Sequence, residues 1–148
     1  MEVSTIFISV LGKKRNEITC VHLVKTYCVP SLLYGCEVWN LSCAEYRYLN
    51  VVWNNTFRKI FNCCWRESTR QLFYCEVLPM AYLVDQQTIM FYKRLQSSEN
   101  IVLRVLGRLK HDAIIVACFS TYGIRSLRSS VFDIKQTIWL NFVKNVQM

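Results

Sequence analysis

Apolar residues recur at three- and four-residue spacing over much of this chain, and the clearest run lies between Ala44 and Cys64. Leu49, Trp53, Phe57, Ile60, Phe61 and Cys64 form one stripe, while Arg47, Asn50, Asn54, Asn55, Arg58, Lys59 and Asn62 take the remaining positions. That is the period of an amphipathic helix with one buried face. Ser42 followed by Glu45 predicts a capping box at its start.

Other helices follow from the same reading. Residues 1–12 predict a weak helix that stops at Gly12 and the basic run Lys13-Lys14-Arg15. From Glu17 to Val29 apolar residues fall on most sides (Ile18, Val21, Leu23, Val24, Tyr27, Cys28), which predicts a well-buried helix. Pro30 lacks an amide hydrogen and predicts a kink or an end at Val29, and Leu32, Leu33 and Tyr34 add one turn before Gly35. Pro79 predicts the start of a helix reaching about Gln96, with Met80, Val84, Phe91 and Leu95 on one face. Ser98 and Asn100 predict a cap for a short helix ended by Gly107. Val131, Ile134, Ile138, Phe142 and Val146 mark a last helix, with Asp133 in its first turn and Lys144 in its last. No strand pattern is of comparable strength, so the expected fold is all-α: an irregular bundle of about five to seven helices, not necessarily complete in itself.

Composition sharpens this. Hydrophobic residues make up 53% of the 148, charged residues 19%, and there are only four glycines and two prolines. Long helices suit so few turn formers, and the apolar excess must be buried internally or against a neighbour. The longest apolar run, Ala113–Phe119, is seven residues, far short of the ~20 that span a bilayer. The net charge is +8, concentrated toward the end: residues 81–148 carry nine basic and four acidic side chains. Such a surplus favours phosphate backbones or anionic lipid.

Eight cysteines suggest a disulfide scaffold only in a secreted chain. Met1–Leu11 has Glu2 where a signal peptide is basic, and its apolar run is short. The expected setting is therefore intracellular, cytoplasmic or nuclear. Cys28, Cys36, Cys64 and Cys118 fall in apolar segments and are expected to be reduced and buried.

The chemistry for catalysis is sparse. Two-metal sites need clustered carboxylates, yet Asp85, Asp112 and Asp133 are far apart and the seven glutamates are scattered. Cys63-Cys64 are adjacent, Cys36 and Cys43 are seven apart, and Cys20 and His22 point to different sides of a helix, so no zinc spacing is present. His22 reads as a packed core residue and His111, in Lys110-His111-Asp112, as an exposed joint. Neither stands in a nucleophile motif, and there is no phosphate loop. No catalytic residue, metal or cofactor is expected. What remains is basic residues interleaved with aromatics: Arg47, Arg58, Lys59, Trp65, Arg66 and Arg70, then Lys93, Arg94, Arg104, Arg108, Lys110, Arg125 and Arg128. Such a set can track a nucleic-acid backbone while rings stack on bases, or can simply be a solvated helix surface.

The order of residues from Val24 to Trp39 separates these readings. Tyr27, Pro30, Leu33, Tyr34, Gly35, Glu37 and Trp39 stand in the pattern Y-x-x-P-x-L-x-Y-G-x-E-x-W. This resembles a segment just after the palm in the reverse transcriptases of LINE-type (non-LTR) retrotransposons. The likeness continues more loosely through Leu49 and Asn50 to Arg58-Lys59-Ile60-Phe61, and fades after about residue 70. The ordered set over sixteen residues is moderately specific, whereas single elements such as Tyr-Gly carry no weight.

The resemblance implies a thumb-like helical segment over 1–66 and a basic helical segment over 67–148, from a truncated reading frame. The palm with its Tyr/Phe-x-Asp-Asp motif is missing, so RNA-directed DNA synthesis is not expected. Its signature residues are then structural: Pro30 sets a kink, Gly35 permits a tight exit, Tyr34 and Trp39 fill core, and Glu37 caps or pairs locally. Arg47, Arg58, Lys59, Arg66, Arg70, Lys93 and Arg94 become candidates for contact with a template–primer duplex or target DNA. The implied partners are an RNA or DNA duplex, and the absent palm or another protein. The alternative is a helical protein-interaction or membrane-surface module with no nucleic-acid role.

Overall fold

A computed structural model describes residues 16–38, 41–64, 66, 74–109, 114–124 and 129–147. Every regular element among them is helical, as the all-α expectation requires. The elements are α1 (Glu17–Leu23), a π-helical turn (Val24–Cys28), α2 (Val29–Leu32), a 3₁₀ turn (Cys36–Val38), α3 (Cys43–Ile60), α4 (Met80–Gln96), α5 (Ile101–Leu109), α6 (Ile114–Tyr122) and α7 (Val131–Gln147). The helix expected over 1–12 lies outside the described residues.

Two compact units take up these elements. The first comprises Met1–Gly35 and Asn40–Ala81, the second Cys36–Trp39 and Tyr82–Met148. The expected division at 66/67 borders residues outside the described set.

In the first unit, the Asn16 side chain caps α1 by accepting from the amides of Ile18 at 2.9 Å and Thr19 at 3.4 Å. Burial is one-sided rather than all round: Cys20, Val21 and Val24 are inside, while Ile18 and Tyr27 are exposed. Pro30 does not end the helix. The Val29 amide reaches back five residues to the Val24 carbonyl, and the chain continues helically to Leu32. The wider turn inserts one residue ahead of the proline, relieving the clash of its ring with the carbonyl four residues back. Gly35, at φ 73°, then ends the run.

α3 starts as expected. The Ser42 amide donates to Glu45 Oε2 at 2.7 Å and the Glu45 amide to Ser42 Oγ at 3.3 Å. The Ser42 amide and hydroxyl, the latter donating to Oε2 at 2.8 Å, hold the Glu45 pKa below its ordinary value. The helix ends at Ile60 rather than Cys64, because Asn62 turns into the left-handed region (φ 52°) and the Cys63 amide closes back onto the Arg58 carbonyl at 2.9 Å. Trp53, Thr56, Phe57 and Ile60 are its buried face. Trp53 meets Phe57 edge-on at 5.0 Å and donates from Nε1 to the Leu78 carbonyl at 3.1 Å, satisfying the one polar atom of a buried indole.

In the second unit, α4 buries Val84, Thr88, Ile89 and Tyr92; Phe91 and Leu95, expected on that face, are only half-buried. Asn100 caps α5 through its bond from the Val102 amide at 2.9 Å. Gly107 does not stop α5, which runs on to Leu109. A Cβ there would lie 3.1 Å from Leu95 Cβ, so the glycine serves a close helix–helix approach instead. α6 ends at Gly123 (φ 66°), with the Ile124 amide on the Phe119 carbonyl at 3.1 Å. α7 opens on a reciprocal Ser130–Asp133 cap, both bonds 3.0 Å, and buries Ile134, Ile138 and Phe142.

Candidate nucleic-acid interface

Because Trp53, Phe57 and Ile60 turn inward, the periodicity of α3 sends Arg47, Tyr48, Val51 and Lys59 outward, and all four are exposed. Tyr48 is 65% exposed, a ring at the surface next to Arg47 in the chain. Tyr48 and Lys59 stand eleven residues apart, which is three helical turns and about 17 Å along the axis. Arg58 lies at the edge of this surface, half-buried, donating from Nη1 to Asn55 Oδ1 at 3.1 Å. Exposed tyrosines are a feature of the first unit: Tyr27, Tyr34, Tyr48 and Tyr74 are all at its surface.

The other candidates divide. Arg66 and Arg94 are exposed. Lys93 has a structural contact, donating from Nζ to the Ser129 carbonyl at 2.6 Å and so tying the entry of α7 to α4. Lys25, not among the candidates, does the same in the first unit by donating to the Cys75 carbonyl at 2.7 Å. Arg70 lies outside the described residues.

Among the signature residues, Leu33 is buried and Gly35 has the positive φ that its role in the exit turn requires. Tyr34 is 85% exposed, so it does not fill core; the turn before Gly35 carries Leu33 inward and the next residue outward. Tyr27 and Pro30 are exposed as well. Glu37 acts locally: after burial, its charge and hydrogen bond are the next causes raising the Cys36 thiol to about 11. Trp39 lies outside the described residues.

Two further expectations are corrected. His22 is exposed rather than packed, since it lies off the Cys20–Val21–Val24 face. Cys64 is exposed because α3 has already ended, whereas Cys36 and Cys118 are buried and Cys28 half-buried. None of the eight cysteines forms a disulfide. His111 lies outside the described residues. Among the described residues no three His, Cys, Asp or Glu side chains come together as a metal site, and no helix is long and apolar enough to cross a membrane.

Asp85, Cys118 and Tyr122 form a cluster that no motif in the sequence marks. Asp85 of α4 accepts a 2.5 Å hydrogen bond from the Tyr122 hydroxyl of α6. Burial raises the Asp85 pKa, and the bond from Tyr122 opposes that rise. Burial also raises the Cys118 thiol to about 11, with the Asp85 charge adding to it, and raises the Tyr122 phenol. Burial and the Asp85 charge thus favour the protonated thiol and phenol, and the Asp85–Tyr122 bond links α4 to α6. Its only sequence signal is an aspartate next to Val84 within a mostly apolar helix.

No protein-family model, curated protein or solved structure matches this chain.

Proposed function

We propose that this chain corresponds to the thumb and post-thumb part of a LINE-type (non-LTR) retrotransposon reverse transcriptase, without the palm, and that it holds nucleic acid rather than acting on it. The observation that carries the nucleic-acid reading is the joint exposure of Arg47, Tyr48 and Lys59 on the outer face of α3. Cations there can meet the phosphates of a duplex backbone, to which the tyrosine hydroxyl can also donate. The resemblance of Tyr27–Trp39 to the post-palm segment supports the same reading, and the scattered carboxylates support a non-enzymatic role. An RNA or DNA duplex is the partner, met in the cytoplasm or nucleus.

Fluorescence anisotropy of the full chain with a short RNA–DNA hybrid and a DNA duplex, across a salt series, tests this. Binding should weaken linearly in log–log form, with a slope of about −2 to −4 for a small number of phosphate contacts, and Arg47→Ala/Lys59→Ala should reduce the slope by about 2. Salt-independent binding, or a slope unchanged in the double variant, would overturn the assignment.

A second reading, a protein-interaction or membrane-surface module, is favoured by the exposed aliphatic residues of α5.

A further inference from the structure

α5 has an inverted arrangement for a helix packed in water. All six residues from Ile101 to Leu106 are exposed, and Gly107 is buried. Ile101 is 66% exposed, Val102 60%, Val105 47% and Leu106 50%. At about 100° per residue these four fall within an arc of roughly 140°. Gly107 lies on the opposite side, where a Cβ would be 3.1 Å from Leu95 Cβ. The helix is therefore docked through its glycine, and its aliphatic arc faces outward.

Charge and size together indicate what covers the arc. Arg104 is exposed beside it, Arg108 and Lys110 follow in sequence, and no acidic residue occurs between Asn100 and His111. A second copy of this chain would bring the same cations together. Nine residues make a helix about 14 Å long and about 10 Å wide, a footprint on the order of 140 Å², against about 800 Å² per partner in a stable protein interface. A bilayer interface needs no matching contour, and takes an apolar helical face to a depth of about 5–10 Å while anionic headgroups meet the cations. A nine-residue helix lies flat there, being too short to cross.

We infer that α5 is a membrane-surface helix that inserts Ile101, Val102, Val105 and Leu106 into an anionic lipid interface, with Arg104 at the headgroups. This is independent of the nucleic-acid reading, which rests on Arg47, Tyr48 and Lys59 of α3.

Co-sedimentation of the full chain with phosphatidylcholine vesicles, with and without phosphatidylserine, tests it. The protein should sediment with the anionic vesicles and not with the neutral ones. Val105→Asp and Leu106→Asp should each lower the partition coefficient roughly tenfold or more, and Arg104→Gln about fivefold. Leu140→Asp, an exposed aliphatic of α7 given the same charge change, should lower it by no more than about twofold. Leu106→Ala, which leaves every charge in place, should weaken the vesicle binding without altering the salt slope for nucleic acid. Helical circular dichroism checks each variant, and if an aspartate variant loses its signal, Arg104→Gln decides. Failure of the folded protein to sediment would overturn the inference. So would equal loss in Leu140→Asp and Val105→Asp, or a dimer in sedimentation velocity that Val105→Asp dissolves.

Discussion

The Tyr122 hydroxyl donates to the half-buried Asp85 carboxylate at 2.5 Å, joining α6 to α4 within the second unit. Burial holds the Asp85 proton more tightly in the folded chain than in the unfolded one. The folded state therefore binds more protons in the carboxylate range, and stability falls as pH rises from the ordinary aspartate pKa through the raised one. Asp85→Asn retains an acceptor for Tyr122 and removes this titration. Thermal melts should show the variant close to wild type in acid and gaining relative to it towards neutral pH. Tyr122→Phe leaves the carboxylate without that donor and should cost about 1–3 kcal/mol near neutral pH. A pH-independent difference between Asp85→Asn and wild type would contradict the account.

Gly107 decides how closely α5 approaches Leu95. Alanine should gain about 1 kcal/mol of helix propensity, but its Cβ would stand 3.1 Å from Leu95 Cβ. The two effects should leave Gly107→Ala within about 1 kcal/mol of wild type. Gly107→Leu should cost about 1–3 kcal/mol by overpacking. Leu95→Ala combined with Gly107→Leu should recover part of that loss, a coupling that denaturant melts of the four proteins would measure. Purely additive losses would show that the two residues do not share the space.

Asn62 closes α3 at φ 52°, the position that glycine commonly fills after a helix. Asn62→Gly should be neutral or stabilising within about 1 kcal/mol, while Asn62→Val should cost about 1–2 kcal/mol by forcing a β-branched residue into the left-handed region. Equilibrium urea melts distinguish the two. Equal stability of both variants would remove the left-handed turn as the reason α3 stops at Ile60.

Local patterns were legible in the sequence, and non-local choices were not. The Ser42–Glu45 cap and the Ile134–Ile138–Phe142 stripe depend on residues within one or a few turns, so their spacing suffices to find them. The outward positions of Arg47 and Lys59 follow from the inward stripe of the same helix. Pro30 was harder, because local rules assign its clash to a kink or helix end, whereas the chain absorbs it in a π turn upstream. Gly107 reads as a terminator until a neighbouring helix presses against it. Asp85 and Tyr122 are 37 residues apart, and no periodicity announces their pairing. Tyr34 is a signature position whose exposure no motif order reveals.

The cysteines extend this to reactivity. Cys43 and Cys64 are exposed, whereas Cys20, Cys36 and Cys118 are buried, and burial with a nearby carboxylate raises Cys36 and Cys118 to about 11. Thiolate, not thiol, attacks a disulfide reagent, so reaction rate follows both access and the fraction deprotonated. Ellman titration of the native, reduced chain near pH 8 should show a fast phase from Cys43 and Cys64, with Cys20, Cys36 and Cys118 reacting only after denaturant is added. Cys43→Ser/Cys64→Ser should abolish the fast phase and leave the helical signal intact, since neither side chain is buried. Asp85→Asn should lower the Cys118 pKa by removing the charge that adds to burial, but should not bring Cys118 into the fast phase, because access still limits it. Rapid labelling of Cys118 in the folded wild-type protein would show that the α4–α6 contact opens readily, contrary to the packing that buries Cys118 and Tyr122.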